Sequence, residues 1–152
     1  MVENQFIGTW QLVSWENRDS DGNVIYPYGQ DAIGYIMYNA DGYMSVNIMM
    51  ANRSNFASEV ILTGTTEEQA VASQSYLAYC GNYEIQSDKI IHYIATSLFP
   101  NWVGTVQERF FQFEGDRLVL STPPLSVSGK QQTAHLTWER VNKLQDYGIQ
   151  FV

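Results

Sequence analysis

Two side chains in this sequence can do chemistry that their neighbours cannot: His92 in Lys89–Ser97 and Arg109 in Thr105–Glu114. Both stretches read as β-strands, in which side chains alternate between faces, and a tight hairpin keeps a face continuous across its loop. A loop at Ser87-Asp88 aligns His92 with Tyr83, Ile85, Ile90 and Ile94, and a loop at Gly115-Asp116 aligns Arg109 with Phe111, Phe113, Leu118 and Leu120. Each is therefore a polar group on an apolar face. An imidazole changes charge near neutral pH, so His92 is a candidate general acid or base. The alternative is a neutral core histidine bonded to Tyr83 or to a carbonyl. A guanidinium cannot shed its charge and is almost never buried unpaired. Arg109 thus needs Glu16, Glu108 or the carboxylate or enolate of a ligand. If the loop Leu98–Gly104 preserves the inner face, both groups reach one cavity.

The wall around them follows from the same alternation. A loop at Ala40-Asp41 places Asn39 opposite Gly42, so Tyr35, Met37, Met44, Val46 and Ile48 share a face. With Tyr83 they make a soft, polarizable lining with hydroxyl handles, suited to a planar or polyketide-like guest. Phe111 joins them beside Arg109, and Trp102, in the connection Ser97–Thr105, forms either a lid over the mouth or an aromatic plug. A packed core without a void is the competing expectation for each of these residues.

Positioning such a set requires a particular scaffold. Strand-like runs cover Gly8–Arg18, Tyr35–Asn39, Gly42–Met50, Asn82–Gln86, Lys89–Ser97, Thr105–Glu114, Arg117–Thr122 and about Gln132–Val141, separated by Asp, Gly, Asn and Pro clusters. On the first, Trp10, Leu12 and Ser14 share one face, with Val13 and Trp15 on the other. Helical spacing appears in one place, about 66–79, where Thr65 or Thr66 can cap, Glu67 and Glu68 suit the positive end of the dipole, and Cys80-Gly81 ends the run. Eight antiparallel strands around one core predict an all-β, up-and-down barrel with one inserted α-helix. The 152 residues fit a single domain, with the barrel at about 8–141 and a tail at 142–152.

Composition removes other chemistries. Asp plus Glu outnumber Lys plus Arg by 16 to 8, a net charge of −8 that repels phosphate backbones, so no nucleic-acid partner is expected. With His92 and His135 the sole histidines and Cys80 the sole cysteine, neither a multi-histidine metal site, a thiolate cage nor an intrachain disulfide can form, and no metal or cofactor is expected. Cys80, at the expected helix end, reads as buried and inert. Ser126-Val127-Ser128-Gly129 lacks the strand-to-helix setting of a nucleophile elbow, and no phosphate loop or dinucleotide fingerprint occurs. Met1–Ile7 has neither a basic start nor a long apolar run, and no segment is a membrane-span candidate, so the expectation is a cytoplasmic protein without a membrane partner, monomeric or homodimeric.

Gly8-Thr9-Trp10 on the first strand with Arg140 on the last resembles the calycin signature, in which the arginine packs across the tryptophan and closes one barrel end. Longer phrases are more specific. Tyr26-Pro27-Tyr28-Gly29-Gln30-Asp31-Ala32, Gly34-Tyr35-Ile36-Met37-Tyr38, Asp41-Gly42-Tyr43-Met44-Ser45-Val46, Tyr76-Leu77-Ala78-Tyr79-Cys80-Gly81, Ser97–Thr105 and Leu120–Pro124 resemble the bacterial and fungal lipocalin-like domain family. The resemblance implies a small barrel with an internal cavity, and some family members accompany secondary-metabolite pathways. Two functional expectations follow. The first is binding of one small, mostly hydrophobic molecule, oriented by His92 and Arg109. The second is a cofactor-independent isomerase or cyclase in the same cavity, with His92 moving a proton and Arg109 stabilising negative charge.

Overall fold

The computed structural model describes residues 4–142. Ten strands form one continuous antiparallel sheet: β1 (Gly8–Asp19), β2 (Val24–Ile25), β3 (Ile33–Tyr38), β4 (Tyr43–Met49), β5 (Tyr76–Ile85), β6 (Lys89–Ser97), β7 (Val106–Glu114), β8 (Arg117–Ser121), β9 (Leu125–Val127) and β10 (Lys130–Arg140). β1 pairs with β10 from Trp10↔Arg140 to Asp19↔Gln132, which closes eight strands into a barrel and leaves β2 and β9 as short additions. Closure removes the exposed edges that an open sheet would present.

The connections divide by end. Tight turns join β3 to β4, β5 to β6 and β7 to β8 at one end. The long ones lie at the other: 20–32, the segment 50–75 with helix α1 (Thr66–Gln74), the 3-10 turn Pro100–Trp102, and 122–129. Helix α1 opens on a reciprocal cap, in which Thr65 Oγ1 accepts from Glu68 N–H while Glu68 accepts from Thr65 N–H. None of its side chains is buried, so the cap rather than packing holds it.

The structure corrects four expectations. Helix α1 stops at Gln74, and Tyr76–Cys80 run as strand, because Leu77 and Tyr79 pair with Ile48 and Val46 to continue the inner wall. Cys80 is consequently half-buried within β5 and not at a helix end. The β3–β4 loop holds three residues, with Asn39 N–H donating to the Tyr43 carbonyl and Gly42 at φ +91°. That extra residue shifts the register by one and turns over every side chain of β3. Ile36 and Tyr38 point inward, opposite Val46 and Met44, whereas Tyr35 and Met37 point outward, opposite Asn47 and Ser45. Finally, a β-bulge at Val13 rotates β1, so Trp10 and Leu12 face inward before it and Trp15 and Asn17 after it.

The core fills one half of the barrel. Phe6 seals the tight-turn end, with its ring edge-on to Tyr38, Phe111 and Phe113 at centroid distances of 5.2, 5.0 and 4.9 Å. Trp10 Nε1 donates to the Phe6 carbonyl at 2.9 Å. The Arg140 guanidinium lies 4.1 Å from the Trp10 ring centroid and donates to the carbonyls of Ile7 and Gln5.

Candidate functional site

The opposite half is hollow. A cavity of about 450 Å³ opens between the long connections, within the range that holds a small organic molecule. Its walls are mainly apolar: Ile36, Val46, Ile48, Leu77, Leu120 and Leu136, with Trp15, Trp102 and Trp138 supplying flat faces. Trp102 belongs to the mouth, edge-on to Tyr79 at 5.8 Å and to Phe99 at 5.6 Å.

His92 and Arg109 both line this cavity. β6 and β7 pair Ile90 with Arg109 and His92 with Gln107, so the two groups share a face one step apart on neighbouring strands. His92 is 1% exposed and sits between two tyrosines, with Tyr38 Oη 2.7 Å from Nε2 and Tyr79 Oη 2.7 Å from Nδ1. Its partners are thus these two and not Tyr83, whose hydroxyl donates to the Asn39 carbonyl and accepts from Asn4. Burial, reinforced by the nearby Arg109 charge, lowers the His92 pKa to about 3 and keeps the ring neutral. Burial also raises Tyr38 well above the usual phenol range and raises Tyr79, against which Arg109 pulls.

A neutral imidazole has one N–H and one bare nitrogen, and the surroundings decide which is which. Tyr38 is 1% exposed, with His92 Nε2 as the acceptor within its reach, so its hydroxyl donates there. On that ground we assign the proton to Nδ1, which then donates to Tyr79 Oη. The Tyr79 hydroxyl proton is left for the cavity that Tyr79 lines.

Neither carboxylate named from the sequence pairs with Arg109. Glu16 binds Arg18 at 2.6 Å and Glu108 faces Lys89 at 3.6 Å. The Arg109 guanidinium instead donates to the Glu108 main-chain carbonyl at 2.8 Å and to Gln107 Oε1 at 3.3 Å, so among the described residues it has no ion pair.

The other sequence candidates scatter. Val46 and Trp102 line the cavity, Met44 is buried in the filled half, and Tyr83 and Phe111 pack there against the core. Tyr35 and Met37 are on the outer face. Much of the apolar wall, such as Ile36 and Leu136, lies outside the sequence candidates, and so do Tyr79 and Trp138. Tyr79 falls within the helical spacing of 66–79, and the signal that could find it is the inward-facing Val46, with which it pairs. Trp138 sits on the inner face of β10 and lines the cavity. Its indole N–H is fully enclosed and has no hydrogen-bond partner among the described residues. No cluster of three or more His, Cys, Asp or Glu side chains able to hold a metal occurs among those residues, and no helix among them is long and apolar enough to cross a membrane.

A closed antiparallel barrel, plugged at one end and hollow at the other, with a tryptophan–arginine pair at the plug, defines a cavity-bearing calycin-type barrel. The chain belongs to the lipocalin-like domain family, which it matches over residues 7–141. It is similar to the 4'-hydroxy-3'-methoxypropiophenone carrier protein ppsC of Aspergillus oryzae, with 38% identity over 110 residues, covering 66% of this chain and 99% of that protein. No solved structure matches it significantly.

Proposed function

We propose that this protein is a carrier that encloses one small, largely apolar aromatic molecule in the open half of its barrel. The observation that carries this reading is the cavity itself: a mainly apolar chamber of about 450 Å³ with a few polar groups in its lining. The similarity to a propiophenone carrier supports an aryl ketone or related phenol as the guest. The barrel closes its own sheet, so a single chain completes the site, and a cytoplasmic setting suits a chain whose one cysteine is a free thiol.

The second reading, an isomerase or cyclase, asks His92 to take up and release a proton near neutral pH. With a pKa of about 3 and both ring nitrogens engaged, His92 stays neutral there, and we place that reading second.

Trp15, Trp102 and Trp138 line the cavity, so their fluorescence reports occupancy directly. Titration with a panel of aryl ketones and acyl phenols should quench it saturably. The same compounds at a hundredfold excess over Kd should stabilise the fold by about 2.7 kcal/mol. A panel in which no compound quenches or stabilises overturns the carrier reading, and conversion of a compound faster than in buffer restores the enzymatic one.

A further inference from the structure

The polar groups facing the cavity have a common bias. Arg109 brings a guanidinium with no carboxylate partner among the described residues. Tyr79, which lines the same cavity, brings the hydroxyl proton that this His92 tautomer leaves free. The acceptor groups beside them are already engaged. Asn17 Oδ1 accepts from Trp15 Nε1, Gln107 Oε1 from Arg109, and Thr122 Oγ1 from the Ala134 amide. The nearest carboxylates are turned to other partners, Glu108 at the rim to Lys89 and Glu16 to Arg18.

We propose that the cavity takes its guest's polar end as an oxyanion, the deprotonated form of an acidic phenol or a carboxylic acid, held by Arg109 and Tyr79. This rests on the carrier reading and specifies its ligand. Donors converging from Arg109 and Tyr79 reward an atom that accepts, and a fixed positive charge in an apolar surround favours the charged form of a weak acid.

The test uses two matched pairs on the full chain: 4'-hydroxypropiophenone with its methyl ether, and 4-propylbenzoate with its methyl ester. Ionisation of the acyl phenol moves its ultraviolet absorption to longer wavelength, so the protonation state of the bound probe is read spectroscopically. The bound phenol should ionise at least one pH unit below its free value, and at a pH above its free pKa it should bind at least tenfold tighter than the ether. A parallel preference for benzoate over its ester shows that either source of the oxyanion serves; a preference confined to one pair identifies the source. Arg109→Gln should abolish the preference, and Arg109→Lys, which keeps the charge, should retain part of it. If phenol and ether bind equally and ionisation of the bound phenol is unshifted or suppressed, the inference is wrong while the carrier reading stands. If none of the four probes binds, both fall.

Discussion

Acid should weaken this fold through one residue. In the unfolded chain His92 titrates near its ordinary value of 6.5, whereas in the barrel burial holds it at about 3. Between these values the unfolded state binds a proton that the folded state refuses, so stability is full above about pH 7 and falls as the pH drops toward 3. For a single site with these two constants, the loss between pH 8 and pH 5 is about 2 kcal/mol. In a domain of this size that lowers Tm by roughly 4–8 °C. His135 has a lowered pKa as well, acting in the same direction, and the lowered carboxylates Asp19 and Glu68 contribute only at more acid pH. The His92 share is therefore read as a difference: thermal melts from pH 8 to pH 4.5 of the wild type against His92→Gln, which cannot titrate. The variant is expected to be less stable at pH 8, because the Tyr38 and Tyr79 hydroxyls lose their shared partner, and to show a shallower decline below pH 6.5. Parallel curves for the two proteins would refute the buried, neutral His92 described above.

Four further outcomes follow from particular contacts. Met37→Lys should change stability by less than about 0.5 kcal/mol in urea melts because Met37 faces out, whereas Ile36→Lys should prevent folding, since it puts a charge inside the barrel. Arg140→Ala removes the guanidinium over Trp10 and two carbonyl bonds, for a cost of roughly 1–2 kcal/mol by denaturant titration, with probe affinity unchanged at the distant cavity. Gly81→Ala would set a Cβ 1.8 Å from the Tyr93 carbonyl oxygen, and the backbone shift should cost about 3 kcal/mol or more, visible as loss of soluble protein. Thr65→Ala should destabilise helix α1 by about 1 kcal/mol, seen as faster amide exchange at residues 66–69 while the barrel amides keep their protection.

The hairpins at Ser87-Asp88 and Gly115-Asp116 were legible because two-residue loops fix register, and the structure pairs Ile85 with Ile90 and Glu114 with Arg117 as alternation requires. That register places His92 and Arg109 each on an inward face, and the β6–β7 pairing of Ile90 with Arg109 makes those faces one. The β3–β4 hairpin misled because Asn-Ala-Asp-Gly closes as readily on three residues as on two, and the choice decides whether Tyr35 or Ile36 faces the core. The bulge at Val13 leaves no mark in the pattern, since Ser14 and Trp15 could each face either way. Tyr76–Tyr79 has apolar spacing that a helix and an inner strand satisfy equally, and only the need to complete the wall beside Val46 and Ile48 selects the strand. The unpartnered Trp138 indole is a property of three-dimensional packing and has no sequence signature.

The segregation of short turns to one pole and long connections to the other has a consequence for how such a barrel can change over time. Insertions, deletions and new side chains in 20–32, 50–75, 98–105 and 122–129 reshape the entrance without disturbing the aromatic plug around Phe6 and Trp10. Descendants can therefore acquire different cargo while inheriting an unchanged foundation, and a designer wishing to redirect the molecule should vary the rim and leave the base alone.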